Sequence, residues 1–444
     1  MAMNLRRRSA LQAVGLVAVL LAVGGSGTLA SPPALESTAF RPALASTAFR
    51  PARIAAVSER GGTVDVYSML PSGRGVRRLT HDSTVDVGPA WSPDGRRIAL
   101  ARCCVGEGRF GIFVMKADGS HMHRLTEAPG DEIEPAWSPD GSHIVYAASS
   151  HGNYDLYVIG VDGKGRRRIT SSGADDFGPA WSPDGRAIAF EREENFHGHL
   201  YVISPQGIRL HRVTTGAGTD SSPAWAPSGR LLAFASTRTG HSEIFTVARD
   251  GSHLHRVTSS FRPSIDPAWS PRGGQIVFAR RVRHANWDLF RIRPDGSDLA
   301  RVTVEPGADV QPDWQPVCTI VGTRRSDHLV GTKGRDLICG RGGSDVIRGA
   351  GGNDLIFGGA GGDQVFGGPG DDLVLGGDGY DLLAGSGGAD RLLGGGGNDR
   401  LLGGEGGDHL DAVDGVRGND RLDGGAGYDV CRSDPGDRRF SCAA

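Results

Sequence analysis

Two hydrophobic rhythms divide the chain. From residue 329 to 410 an aliphatic side chain returns every nine positions, at Leu329, Ile338, Ile347, Ile356, Val365, Val374, Leu383, Leu392, Leu401 and Leu410. Each stands in the middle of a three-residue segment, and a glycine-rich stretch of six residues leads to the next. So short a segment with one apolar centre predicts a strand that turns a single side chain inward. Upstream the rhythm is longer. Short apolar stretches such as IAF (188–190) and LYVI (200–203) alternate with Pro-Asp-Gly and Gly turns, which predicts antiparallel strands, four to a unit. The units return with Pro-x-Trp segments whose tryptophans fall at 91, 137, 181, 225, 269 and 314, spaced 46, 44, 44, 44 and 45 apart. A period in the forties with this punctuation predicts the blades of a propeller, so the whole chain is expected to be all-β.

Counting units gives a closure rule. Five run from Trp to Trp, while residues 53–80 hold three strands and lack the Trp strand, which PDWQP at 312–316 can supply. Six blades are expected, the last one built from both ends of the domain, leaving no open edge to invite aggregation.

The nine-residue unit reads Gly-Gly-x-Gly-x-Asp-x-U-x, with U apolar, as in GGAGGDQVF (358–366) and GGGGNDRLL (394–402). It resembles the RTX, or haemolysin-type, calcium-binding nonapeptide repeat. The resemblance implies a right-handed parallel β-roll that stacks on itself and binds several Ca2+ ions, with glycines shaping turns whose carbonyls and carboxylates face the metal. The metal ligands it implies are Asp336, Asp345, Asp354, Asp363, Asp372, Asp381, Asp390, Asp399 and Asp408. After an insertion at 412–414 it adds Asp420 and Asp429. The first turn departs from the pattern at Arg325 and Ser326, which leaves Asp327 outside the set. The longer unit, as in PAWSPDGRAIAFEREENFHGHLYVISPQGIRLHRVT (179–214), resembles the TolB-like propeller repeat, a relative of WD-type blades, over residues 53–316.

Four segments follow: a secretory signal at 1–30, a linker with the tandem duplication LESTAFRPA and LASTAFRPA at 31–52, the propeller at 53–316 and the roll at 317–444. The signal has Arg6, Arg7 and Arg8 before an apolar stretch from Ala10 to Val23, then small residues to Ala30, too short to span a membrane. Either general export or a twin-arginine route fits it. The two prolines and missing periodicity of the linker leave it without a core. Net charge is +5 through residue 317 and −7 beyond it. Calcium offsets that acidity, and scattered basic residues without a recognition motif exclude a nucleic-acid surface.

In an exported chain the six cysteines can pair. Cys431 with Cys442 would staple the end of the roll, and Cys318 with Cys339 would clamp its first turns. The adjacent Cys103 and Cys104 allow either a vicinal disulfide or two thiols.

Three residues before the proline of each Pro-x-Trp stand Asp86, Glu132, Asp176, Asp220, Ser264 and Asp309. Equivalent positions of a propeller form a ring, so these five carboxylates are expected at one mouth of the channel. There they either hold a cation or basic segment, or cap their own loops. His123, His211 and His255 recur on edge strands as surface residues. Neither a nucleophile elbow, a metalloprotease helix nor a phosphate loop is present. Three functions remain open: a monomeric secreted calcium-binding protein whose propeller face binds a protein or polysaccharide, a glycan lyase or hydrolase acting at the acidic mouth, and an adhesive surface protein.

Overall fold

The computed structural model describes residues 52–103, 108–149, 152–283, 286–416 and 418–443. The expected signal, the linker up to residue 51 and Cys104 lie outside them. Six four-stranded antiparallel sheets come first, followed by two seven-stranded parallel sheets. Among the described residues no helix is long and apolar enough to cross a membrane.

Blades two to six open on the inner strands Val85–Trp91, Glu132–Trp137, Asp175–Trp181, Asp220–Trp225 and Ser264–Trp269. The first blade borrows its inner strand, Asp309–Trp314, which pairs antiparallel with Ile54–Ser58 and sets Ile54 opposite Trp314. Closure thus runs through the Trp strand at the end of the domain.

The Pro-Ala-Trp segment sews one blade to the next. The indole Nε1–H of Trp137 donates to the carbonyl of Ala90 (3.1 Å), that of Trp225 to Ala180 (3.1 Å) and that of Trp269 to Ala224 (3.2 Å). The outer strands pair over only two residues each, for example Arg212 opposite Tyr201, so side chains reinforce them. In every blade the threonine of the Arg-x-Thr segment accepts a hydrogen bond from the third strand: Thr80, Thr126, Thr170, Thr214, Thr258 and Thr303 do so at 2.9–3.0 Å. Here the recurring polar residue has a local structural reason.

In the roll, alternate nonapeptides share a sheet, so one coil is 18 residues long. One column reads Ile338, Ile356, Val374, Leu392, Leu410 and Cys431, and the other Leu329, Ile347, Val365, Leu383, Leu401 and Leu422. From Ile338 to Leu422 these aliphatics are fully buried and form the only apolar core of the stack among the described residues. The insertion at 412–414 lengthens one coil by three residues without shifting the columns, since Leu401 still faces Leu422. Cys318 is bonded to Cys339 and Cys431 to Cys442. Cys103 ends the strand Arg97–Cys103 and is half-buried.

The roll lies against the face of the propeller that carries the Pro-Asp-Gly turns. Leu355 and Leu373, first residues of their strands, are buried there. A cavity of about 860 Å³ separates Pro93, Pro227 and Pro271 of the turns from Thr332 and Leu337 of the roll. Arg186 donates to the Ala389 carbonyl (3.0 Å), and Arg391 pairs with Asp140 (3.1 Å) across the seam.

The blade-to-blade bonds make a contrast that can be measured. Trp225→Phe removes a buried donor whose acceptor stays behind, and is expected to destabilise the propeller by about 1 kcal/mol more than Trp91→Phe. The Trp91 indole nitrogen is equally buried but has no partner to lose. Denaturant melts of the two variants decide this, and equal losses would refute the role given to the indole bonds.

Candidate metal centre

Each repeat aspartate divides its carboxylate between two tasks. One oxygen, Oδ1, accepts the backbone N–H of the aspartate one coil earlier: Asp345 from Asp327, Asp354 from Asp336, Asp363 from Asp345, Asp372 from Asp354 and Asp390 from Asp372, all at 2.8 Å. The ladder continues through the lengthened coil, where Asp420 accepts from Asp399 (2.7 Å) and Asp429 from Asp408 (2.9 Å). The other oxygen, Oδ2, is buried and has no hydrogen-bond partner at Asp345, Asp354, Asp363, Asp372, Asp381, Asp390, Asp399, Asp408, Asp420 and Asp429.

Glycine makes room for that second oxygen. A β-carbon placed on Gly358 would lie 2.6 Å from Asp363 Oδ2 and 2.6 Å from the carbonyl oxygen of Gly376, one coil on. The same trio recurs at Gly376, beside Asp381 Oδ2 and the Gly394 carbonyl, and at Gly385, beside Asp390 Oδ2 and the Gly403 carbonyl. Only a residue without a side chain leaves this cradle open. Two residues before each aspartate the backbone takes φ of +124° at Gly361 and +142° at Gly379, angles closed to other residues. A carboxylate oxygen and a carbonyl oxygen from adjacent coils therefore converge on one space. Hard oxygens of this kind, orphaned and buried, fit calcium.

Burial raises the carboxyls, and the amide of the neighbouring coil opposes the shift only in part. Asp354, Asp381 and Asp390 are pushed up to about 7, Asp363 and Asp420 to about 6, and Asp372 to about 8. Asp345, Asp399 and Asp408 move the same way.

The first two aspartates are built differently. Asp327 Oδ2 accepts from Thr323 through N–H (2.6 Å) and hydroxyl (2.8 Å), and Asp336 Oδ2 accepts the same pair from Thr332 (2.6 and 2.9 Å). Asp336 Oδ1 takes the Thr319 hydroxyl at 3.1 Å. Its two oxygens are satisfied by protein, unlike those of the other ten ligand candidates.

Each acid of the expected ring stands at or next to the start of its inner strand, is buried and faces an arginine of its own blade. Asp176 is held by Arg192 (2.7 and 2.9 Å), Asp220 by Arg238 (2.8 and 3.0 Å) and Asp309 by Arg60 (2.9 and 2.8 Å). Arg102 lies 3.2 Å from Asp86 and Arg166 3.9 Å from Glu132, while Ser264 accepts from Arg280 (3.0 Å). Each of these guanidiniums also lies over a ring of its own blade, as Arg192 does over Phe190 and Tyr201. Asp176, Asp220 and Asp309 are thus hydrogen-bonded ion pairs, whereas both carboxylate oxygens of Asp86 and of Glu132 are buried without a hydrogen-bond partner, and burial raises Asp86 to about 6.

One element escaped the sequence reading. The residue before each motif proline, namely Gly88, Glu134, Gly178, Ser222, Asp266 and Gln311, is a bulge with φ between +50° and +59°. These residues bond around the channel, Glu134 to the Gly178 amide (2.7 Å) and Gln311 to that of Gly88 (2.9 Å). Burial raises Glu134 to about 7, with Asp266 adding to the shift. The glycines at 88 and 178 were the available signal.

Known proteins agree with both halves. The family profile of the TolB beta propeller domain matches residues 87–195 and 175–321, and that of the RTX calcium-binding nonapeptide repeat matches 321–356, 348–383, 375–410 and 411–438. No curated protein matches the chain. Among solved structures, TolB from Acinetobacter baumannii is 22% identical with a TM-score of 0.52, over 60% of this chain and 67% of that one. Hydrazine synthase of Kuenenia stuttgartiensis (15%, TM-score 0.52, 60% and 47%) and the nidogen/laminin complex (10%, TM-score 0.51, 60% and 98%) share the propeller too. At such identities the likeness shows the fold alone. The two profiles together account for most of the described chain, which belongs to the TolB beta propeller family and carries RTX calcium-binding repeats behind its blades.

Proposed function

We propose that the protein is an exported, monomeric binding protein whose roll folds on calcium and whose propeller meets a protein or polysaccharide partner. One observation carries the calcium half: ten buried carboxylate oxygens without partners, eight of them, all but those of Asp399 and Asp420, converging with a carbonyl of the next coil. Bound calcium supplies the positive charge that these oxygens lack and joins adjacent coils through one shell. The chain's own residues do the rest. Oδ1 is already fixed by the neighbouring amide, so the carboxylate is oriented before ionisation, and the cradle glycine keeps the approach clear. In a medium poor in calcium the roll stays loose, and it becomes ordered where calcium is plentiful. Binding to the folded state alone adds roughly 2.7 kcal/mol per site at a hundredfold excess over Kd. The signal-like residues 1–30 and the calcium requirement both support export. A binding role for the propeller rests on its fold, and the arginines on Asp176, Asp220 and Asp309 count against a metal at those three residues.

A calcium titration of the full chain, followed by circular dichroism and calorimetry, is expected to show several ions bound with a gain of β signal that chelation reverses. An unchanged spectrum would sink the proposal.

Asp381→Asn keeps an Oδ1 for the Asp363 amide but removes the charge of the orphan oxygen. It is expected to lower the calorimetric calcium count by about one ion while the loaded fold survives.

The raised carboxyls set a pH dependence. Their folded values lie above the unfolded value of about 4, so they stabilise the metal-free roll below that pH, and this support fades as pH rises through the window from about 6 to 8. Ionised carboxylates are the form that binds metal, so calcium affinity moves the opposite way. Scanning calorimetry is expected to find the chelated roll melting higher at pH 5 than at pH 8, with the order reversed in excess calcium. The same order in both conditions would contradict the assignment.

A further inference from the structure

A second site lies at the seam between the domains. A cavity of about 650 Å³ opens between the third and fourth blades and the late coils of the roll. Its lining includes five arginines, Arg167, Arg186, Arg209, Arg391 and Arg432, against one carboxylate, Asp140. The volume falls within the usual range for small-ligand sites and far exceeds the need of a bare phosphate.

The roll contributes to this site by breaking its own pattern. The first strand position of one sheet reads Leu337, Leu355 and Leu373 in three successive coils, then changes to Arg391 and His409. The leucines pack toward the propeller, and the change occurs where the cavity begins. The positive charge is balanced only in part. Asp140 answers Arg391 (3.1 Å), and Asp411 answers the exposed Arg432 (3.1 Å). Arg186 and Arg167 hydrogen-bond to backbone carbonyls, of Ala389 and Pro205, and Arg186 also lies near enough to Asp390 and Asp408 to oppose the upward shift of both carboxyls. Among the described residues Arg209 has no side-chain partner, and Arg391 Nε and His409 Nδ1 are buried without one. Guanidiniums crowded in this way call for an anionic occupant.

The remaining lining argues for a sugar. Ser204 and Gln206 offer groups for hydroxyls. Trp181 is the one motif tryptophan that is half-buried, the other five being buried, and its indole nitrogen is itself buried without a partner. A single aromatic surface in a cleft enclosed by two domains suits one sugar ring. Single-stranded nucleic acid needs a run of stacking surfaces along an open groove.

We propose that this cleft binds an acidic oligosaccharide, through carboxylate or sulfate groups on the arginines and a sugar ring on Trp181. The inference rests on the calcium-folded roll proposed above, since Arg391, His409 and Arg432 reach the cleft only when the coils are stacked.

The test is calorimetry and tryptophan fluorescence on the full calcium-loaded chain with four probes: trigalacturonate, a sulfated chondroitin disaccharide, neutral maltotriose and a short oligothymidylate, with inorganic phosphate as a control. One of the two acidic sugars is expected to bind 1:1 and to perturb tryptophan emission, and which one it is distinguishes carboxylate from sulfate. Maltotriose is expected to give no heat. Arg209→Gln and Arg432→Gln, both at exposed side chains, are each expected to weaken binding about tenfold, and Trp181→Phe to remove the fluorescence change. The proposal is overturned if neither acidic sugar saturates, if the arginine variants bind like the wild type, or if the oligonucleotide or phosphate binds as well as the sugar. Circular dichroism on the same samples with and without chelator keeps the two readings apart. Calcium that orders the roll without sugar binding ends this inference alone, whereas a roll indifferent to calcium ends the earlier one.

Discussion

The roll depends on a carboxylate whose two oxygens cannot both be satisfied by protein. Oδ1 is tied to the coil before it, which fixes where the side chain points and sets the spacing of the stack. Oδ2 is then left buried with nothing to bind. A buried, ionised and unpaired oxygen is among the costliest features a fold can hold, so the group either keeps its proton or meets a cation. Folding, protonation and metal binding are thereby one equilibrium. The first coils show the alternative from inside the same repeat. At Asp327 and Asp336 a threonine replaces the cradle's neighbour and donates both amide and hydroxyl. An end coil has a neighbour on one side only, so satisfying its carboxylate with protein lets the stack begin without metal.

The propeller buries a similar number of acids and resolves them in the opposite way. Its ring carboxylates meet arginines within their own blades, and those guanidiniums rest on cross-strand aromatic pairs such as Phe234 with Phe245. Charge, hydrogen bonding and packing are settled this way at Asp176, Asp220 and Asp309, while Asp86 and Glu132 face their arginines without a hydrogen bond. The calcium-binding repeats thus lie in the half of the molecule where glycine leaves the backbone most pliant.

What the sequence made legible was whatever each repeat states locally. The Asp register, the buried aliphatics from Ile338 to Leu422, the six blades and the closure by Asp309–Trp314 all follow from one unit read many times. What stayed hidden were relations between units. Arg102, Arg192 and Arg280 stand 16 residues after their ring residues, within second strands, but Arg238, Arg60 and Arg166 come from other places in their blades, the last from the turn before a fourth strand, so no single offset marks all six. The coil length was also obscured. A nine-residue period does not say that stacked neighbours are 18 residues apart, and only the pairing of Leu355 with Leu373 and of Gln364 with Leu382 shows it.

That 18-residue coil explains why the seam between the domains was invisible. Reading every ninth residue mixes two faces, one turned to the propeller and one away from it. Taken alternately, the position after the aspartate reads Leu337, Leu355, Leu373, Arg391 and His409 on one face and His328, Val346, Gln364, Leu382 and Arg400 on the other. Only the first series runs apolar and then basic, as a surface must if it packs against proline turns and then borders an arginine-lined cleft. The roll is thus a surface as well as a calcium-dependent support, and its register decides which residues of the late coils the propeller meets. Loss of calcium from the stack would therefore dismantle the cleft from the roll side while leaving the blade residues Arg167, Trp181 and Arg209 in place.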